Sequence, residues 1–307
     1  MKFTAFLLLV LSLSSWGNID TQNLEKTNLG QNNIEKALII YNEKQKVEEE
    51  KVKEEKKEEV RQKETIKSKP KVVYKWNTSN ESFSKAKRLL YAEVYWTPEV
   101  KKTIYCGCSY TDLHNIDLKS CGLSELEKIK RANRIEAEHV VPAHAFGWSF
   151  KSWREGDPKC VTSKWTSFKW RNCARKVNKD FRLMEADLYN LYPAVWEVNG
   201  RRSNFSMAMI PWEDHRVWKY KVSCDIEVDT KIRKIEPKED VRGDIARTYM
   251  YMDLVYPWHD IISEKNKKLY EAWAKLDPVS KEECRRYRII KEIQGNENPI
   301  LKELCEK

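Results

Sequence analysis

The stretch R-I-E-A-E-H-V-V-P-A-H-A-F-G, from Arg134 to Gly147, decides how the rest of the chain is read. Its β-branched residues predict a strand over Arg134 to Val141, stopped by Pro142, which cannot donate to a ladder. Successive side chains of a strand alternate between faces, so Glu136 and Glu138 share one face and His139 takes the other. Glu138 and His139 can then serve one site only where the strand ends or bends, and Pro142 with the small residues after it supplies such a turn. An imidazole, with an ordinary pKa of about 6.5, is a natural proton acceptor at neutral pH. A hard cation such as Mg²⁺ takes oxygen ligands and keeps several waters, so one carboxylate and one amide oxygen suffice to hold it. Phosphodiester hydrolysis needs an activated water and positive charge for the phosphoryl oxygens, and Glu138 and His139 supply two of these parts. Taken alone, the same pair also describes a structural histidine beside a surface acid.

Outward from this stretch, apolar periodicity predicts helices over Ser82–Tyr95, Ser124–Asn133, Asp180–Leu191, Arg242–Leu254, Ser263–Lys275 and Lys281–Ile293. The other strand candidate is Cys224–Val228, which alternates apolar and polar residues. The expected class is α+β, mostly helical with a small antiparallel sheet. No G-x-S-x-G, H-E-x-x-H, Walker or dinucleotide-binding pattern occurs, so serine hydrolase, zincin and nucleotide-binding readings lose their local signatures.

The 307 residues allow about two domains. Lys2 precedes an apolar run, Phe3 to Leu13, that is too short to span a bilayer and is followed by Ser14, Ser15 and Gly17. Residues 1–19 therefore read as a secretory signal peptide, with an uncleaved membrane anchor as the alternative. Residues 20–71 read as a polar tether, disordered or a single solvated helix. Between Glu43 and Lys71 it carries eleven Lys/Arg and nine Asp/Glu with too few apolar residues to bury a face. Residues 72–307 hold nearly all the tryptophan and every cysteine, and are expected to form one catalytic domain. The net charge is +10, mostly within that domain, which favours a polyanion such as nucleic acid or an anionic membrane surface. Eight cysteines from Cys106 to Cys305 in an exported chain predict four disulfides, whose pairing spacing alone leaves open. The C-x-C of Cys106 and Cys108 lacks the second pair that a structural zinc site needs.

The opening stretch and M-E-A-D-L-Y-N-L-Y-P-A-V-W-E-V-N-G-R-R-S-N-F, Met184 to Phe205, together resemble the bacterial endonuclease I family of periplasmic or secreted nucleases. The resemblance runs through F-S-K-A-K at Phe83, Y-C-G-C at Tyr105, I-A-R-T-Y-M-Y-M at Ile245 and E-C-R-R-Y-R-I-I-K-E-I-Q-G-N-E-N-P at Glu283. It covers the domain and none of the tether. What it implies is a ββα-metal (His-Me finger) core, stapled by disulfides, that cleaves nucleic acid with little sequence preference. By motif, Glu138 and Asn199 match the metal ligands, His139 the general base and Glu185 a further active-site acid. Without the resemblance, Asn199 beside Gly200 reads as a turn residue and Glu185 as a solvated helix residue. The family's leaving-group arginine follows a Gly pair and precedes a cysteine by three positions. Arg171 precedes Cys173 by two and has no Gly pair, so it is a candidate that departs from the pattern. Ala137 and His144 stand where the family has tryptophan, and Arg201 where it has aspartate. The implied disulfides are Cys106–Cys224, Cys108–Cys121, Cys160–Cys173 and Cys284–Cys305.

Trp148, Trp153, Trp165 and Trp170 lie among Lys151, Arg154, Lys159, Lys164, Lys169, Arg171, Arg175 and Lys176. Basic residues neutralise phosphates and aromatic rings stack on bases; equally, the tryptophans can anchor an irregular disulfide loop. Lys164, Lys169, Arg201 and Arg202 are the expected nucleic-acid contacts. The expected protein is a periplasmic or secreted monomeric endonuclease acting on DNA, with RNA open. It needs Mg²⁺, or Ca²⁺ or Mn²⁺ in its place, and no small-molecule cofactor. The rival is a non-catalytic, disulfide-stapled binder of nucleic acid or another polyanion. A cell-envelope protein that docks a partner through its charge run is the third class.

Overall fold

The computed structural model describes residues 39, 41–54, 56–57, 74–210, 218–219 and 224–306; the expected signal peptide lies outside them. The chain divides into two units, Met1–Val72 and Val73–Lys307. In the first, residues 41–54 are helical and exposed on every side, as a Glu/Lys-rich run with no apolar face must be.

The second unit begins with helix α1 (Phe83–Leu89), capped by the Ser82 hydroxyl and continued by a π-helical turn over Leu90–Val94. Strands β1 (Ser109–Asp112) and β2 (Asn115–Asp117) form a short antiparallel pair. Strand β3 (Ile135–His139) is followed by four helices: α2 (Ala143–Gly147), α3 (Lys151–Arg154), α4 (Trp170–Val177) and α5 (Lys179–Glu185). Strand β4 (Leu191–Val195) pairs antiparallel with β3 and leads directly into helix α6 (Trp196–Arg202), which packs against both strands. A four-stranded sheet then takes β5 (Ser206–Met207), β6 (Trp218–Lys219), β7 (Glu227–Asp229) and β8 (Lys234–Glu236) in the order β5-β8-β7-β6. Helices α7 (Arg242–Val255), α8 (Glu264–Leu276), α9 (Lys281–Gln294) and α10 (Pro299–Cys305) complete the unit.

Local chemistry fixes several ends. Ser280 and Glu283 form a reciprocal capping box at the start of α9, and Gly295 closes it in the left-handed region at φ 76°. Asn298 accepts from two main-chain amides at the start of α10, where Pro299 needs no hydrogen bond of its own. Helix α7 is buried along most of its length, with Ile245, Ala246, Tyr251 and Met252 fully enclosed. Disulfides join Cys106 to Cys224, Cys108 to Cys121, Cys160 to Cys173 and Cys284 to Cys305.

Three expectations change. The single small antiparallel sheet is three sheets, and β5 runs parallel to β8. The helix expected over Ser124–Asn133 is one 3₁₀ turn, Ser124–Leu126, followed by turns. The helix expected over Asp180–Leu191 stops at Glu185, and its last residue opens β4. All five residues of β4 are buried, so it shows no alternation, and Pro193 disguises it further. Pro193 is tolerated because it lies opposite Ala137, between residue pairs that carry the ladder bonds. Its carbonyl turns away from β3 and accepts from the Ile104 amide at 2.8 Å.

Candidate active site

The pair β3–β4 and helix α6 present the residues that the opening stretch singled out. Glu136 and Glu138 share a face of β3 by strand alternation, and both are largely shielded from water. Asn199, on α6, donates from Nδ2 to Glu136 Oε1 at 2.7 Å. Glu138 accepts from the Tyr105 hydroxyl at 2.6 Å and pairs with Arg202 Nη1 at 3.2 Å. Both partners use Oε1, so neither occupies Oε2. Burial and the neighbouring Glu138 charge push the Glu136 carboxyl up to about 7. Burial also raises Glu138, although Arg202 and Tyr105 oppose it. Two carboxyls held above their usual range on one face form a site that gains from a cation.

His139 is the last residue of β3 and turns away from the two acids. Its ring lies 4.9 Å from Phe83, centroid to centroid, and Nε2 sits 2.8 Å from the Glu185 carbonyl oxygen. A carbonyl only accepts, so Nε2 carries the proton and Nδ1 presents a lone pair. Burial, and after it the nearby Arg171 charge, lower the pKa of His139 to about 3, which keeps the ring neutral.

Glu185 is fully buried at the end of α5, and two arginines of α4 hold it. Arg171 Nε donates to Oε1 at 2.5 Å, while Arg175 binds through Nε and Nη2 at 2.7 and 2.6 Å. Burial alone would raise the Glu185 pKa, but the Arg175 and Arg171 guanidiniums outweigh it and hold the carboxyl below its usual range. Glu185 is thus a fixed anion that aims two cations, with no proton to give. Arg171 Nη2 is buried without a hydrogen-bond partner, which is uncommon for a native donor, and the guanidinium lies over the Phe83 ring, 5.2 Å from its centroid. The Arg171 charge opposes the rise at Glu136 and Glu138 and adds to the fall at His139, so all three lie within its field.

Residues 49–305 match the sequence pattern of the family described as Endonuclease I. The chain belongs to the endonuclease I family. It is therefore a nuclease, a hydrolase of phosphodiester bonds. It is 38% identical over 208 residues to an extracellular deoxyribonuclease of Aeromonas hydrophila, covering 66% of this chain and 82% of that protein. Endonuclease-1 of Buchnera aphidicola subsp. Acyrthosiphon pisum is 38% identical over 209 residues, 67% of this chain and 75% of its own length. A periplasmic deoxyribonuclease of A. hydrophila is 36% identical over 208 residues, 66% and 79% of the two chains. Among the described residues of this endonuclease I family member, no helix is long and apolar enough to cross a membrane.

The expected nucleic-acid contacts separate. Lys164 and Lys169 are exposed on the segment closed by Cys160–Cys173. Arg201 is half-exposed and pairs with Glu197 at 2.7 Å along α6. Arg202 is 1% exposed and is not a nucleic-acid contact: it binds Glu138 and the carbonyls of His139, Val140 and Ser203. Sequence adjacency to Arg201 misled, because neighbouring helical residues point about 100° apart. His144 is exposed and stacks on Trp148 away from the acids. Glu136, Tyr105 and Arg175 had no assigned role. Glu136 was within reach of the period-two rule and Arg175 of the four-residue helical spacing from Arg171, whereas Tyr105 arrives from a distant part of the chain.

Proposed function

We propose that this protein is an exported, divalent-metal-dependent, sequence-nonspecific endonuclease acting on DNA, with RNA as a second substrate, and that β3, β4 and α6 are its ββα-metal core. Residues 72–307 form the catalytic domain on this reading and residues 20–71 its tether.

The donor set fits a hard cation. Glu138, Glu136 and Asn199 offer oxygens only, and the raised carboxyls favour a positive neighbour. Among the described residues no three His, Cys, Asp or Glu side chains form a metal cluster. Mg²⁺, with Ca²⁺ or Mn²⁺ as substitutes, held by Glu138 and Asn199 with Glu136 beside them, supplies positive charge for the phosphoryl and leaving oxygens.

The chain's own groups supply the rest. Neutral His139 takes the proton from an attacking water at Nδ1, because Nε2–H is committed to the Glu185 carbonyl. Arg171, whose side chain keeps over a third of its surface in water, offers its guanidinium to a phosphate oxygen while Glu185 holds its Nε in place. Lys164 and Lys169 contribute phosphate attraction without reading sequence.

The His139–Glu185 bond carries this reading, because it turns a buried histidine into a base of defined tautomer. The test incubates purified protein with supercoiled plasmid and with RNA, each with Mg²⁺ and with EDTA, beside His139→Ala. Mg²⁺-dependent nicking that falls about 10²- to 10⁴-fold in His139→Ala, with DNA binding retained, is the expected result. Near-normal cleavage by His139→Ala would reject the general base. Binding without turnover in the unaltered protein would favour the non-catalytic binder.

A further inference from the structure

The segment from Cys160 to Cys173 contributes Arg171 to the site, but most of it projects elsewhere. Val161 bridges Ser167 antiparallel, and Phe168 donates to the Cys160 carbonyl at 2.9 Å. The Thr162 hydroxyl accepts from the Lys164 and Thr166 amides, each at 3.2 Å, and the Thr162 carbonyl from the Trp165 amide at 3.0 Å. The disulfide closes the base of this hairpin. Its turn is therefore built, and it holds Trp165 at φ 60° with 85% of the residue in water. Trp170, at the base, also has positive φ, 63°, and is 54% exposed. Bulky residues seldom occupy this region, and two tryptophans held there are displayed at some conformational cost.

The display continues beyond the hairpin. Trp170 stacks on Trp148 at 6.5 Å with 25° between planes, and Trp148 stacks on His144 at 5.7 Å and 26°. Buried Trp153 supports the row from beneath, edge-on to both Trp170 and His144. A row of rings on a rigid support, left open to water, marks a binding surface rather than a core. The charges around it select the partner. Lys164 and Lys169 are exposed on the same segment and Lys159 just before it, while Glu155 is paired with Lys151 and Asp157 binds the Lys159 amide. Arg171 follows Trp170 in α4, so the row and an arginine of the site start from the same helical turn.

We propose that this hairpin, with Trp165 at its tip and Trp170 stacked on Trp148 at its base, is a stacking site for unpaired bases next to the cleaved phosphate. The proposal rests on the nuclease reading above and adds to it a preference for single-stranded or locally unpaired nucleic acid. In a closed duplex the base faces are already stacked, so the rings gain a partner only where bases are splayed. The lysines bind phosphate in either case.

The test uses the full chain in a His139→Ala background, so that binding is read without cleavage. Fluorescence anisotropy measures affinity for a single-stranded oligonucleotide, for the same strand with abasic positions and for its closed duplex, at one salt concentration. Trp165→Ala/Trp170→Ala should lose tenfold or more, roughly, on the single strand and less than about twofold on the duplex. Abasic positions should cost the parent protein about what the alanines cost on the intact strand. Trp165→Phe/Trp170→Phe, which keeps a ring at each place, should restore most of the affinity and guards against misfolding. Equal losses on both substrates, or no loss on either, overturn the stacking site. If the unaltered enzyme nicks plasmid while the alanine variant binds normally, only the stacking site fails. Ring-dependent binding by a protein that cleaves nothing would overturn only the nuclease reading.

Discussion

Protonating His139 would place a second positive charge in a buried pocket beside Arg171, and burial with that charge lowers its pKa to about 3. The ring is therefore neutral at any ordinary assay pH. Glu136, pushed up to about 7 by burial and by Glu138, is the group that titrates in the working range. An acid limb of activity near pH 7 should thus belong to the cation site. Raising Mg²⁺ should move that limb to lower pH, because cation and proton compete for one carboxylate; rate profiles at low and high Mg²⁺ would show it. A limb that ignores Mg²⁺ would contradict the assignment. Stability gives a second check. A carboxyl raised on folding contributes stability below its unfolded pKa and loses it as pH rises through the folded value. In EDTA, Glu136→Gln should therefore raise the melting temperature at pH 8 and leave it nearly unchanged at pH 5. A gain on the order of 1 kcal/mol would appear as about 2–4 °C in a domain of this size. His139 runs the other way: its lowered pKa gives stability above about 6.5 that drains away as pH falls toward 3.

At the scale of elements, two glycines near the site make opposite predictions. A Cβ on Gly147, in α2, would run into the ring of Trp153, which is buried and held edge-on against His144 and Trp170. Gly147→Ala should cost about 1–3 kcal/mol in denaturant titration through overpacking. A Cβ on Gly200, in α6, meets the tip of the Arg131 side chain, which can swing aside. Gly200→Ala should be close to neutral, helped by alanine's better helix propensity. How much was legible follows the same division. Helices α8 and α9 were readable because each carries its own period or cap, and β3 because its β-branched run ends at Pro142. Strand β4 was not, because a fully buried edge strand with a central proline has neither alternation nor a typical strand composition. The cysteine pairing came from resemblance, since eight thiols carry no local sign of their partners. Glu138 and His139 could be named from their neighbours in the chain. The Tyr105 hydroxyl and the Glu185 carbonyl could not, because only the folded chain brings them there.

Across the whole molecule, the second unit is tied together by four disulfides and the site depends on them. Cys106–Cys224 closes a loop of 118 residues, the longest of the four, and Cys106 adjoins Tyr105, which holds Glu138. Such a cross-link contributes on the order of 2–4 kcal/mol. Strong reductant, or Cys106→Ser with Cys224→Ser, should lower the melting temperature and the cleavage rate together. Activity unchanged by full reduction would separate the staple from the site. Removing residues 1–71 should leave kcat/KM on plasmid nearly intact, because every site group described above lies in the second unit; a folded truncation without turnover would show that the tether takes part.

The oxygen that fixes the tautomer of His139 belongs to the main chain of Glu185. A codon change at position 185 can replace the carboxylate and loosen both arginines, but every amino acid brings the same peptide carbonyl. A saturation scan would therefore score that position for its side chain and be blind to its second duty. Reaching it takes synthetic chemistry: an ester in place of the amide between residues 185 and 186 weakens the carbonyl as an acceptor while the carboxylate stays. His139, the proposed base, is thus held by an atom that heredity cannot edit.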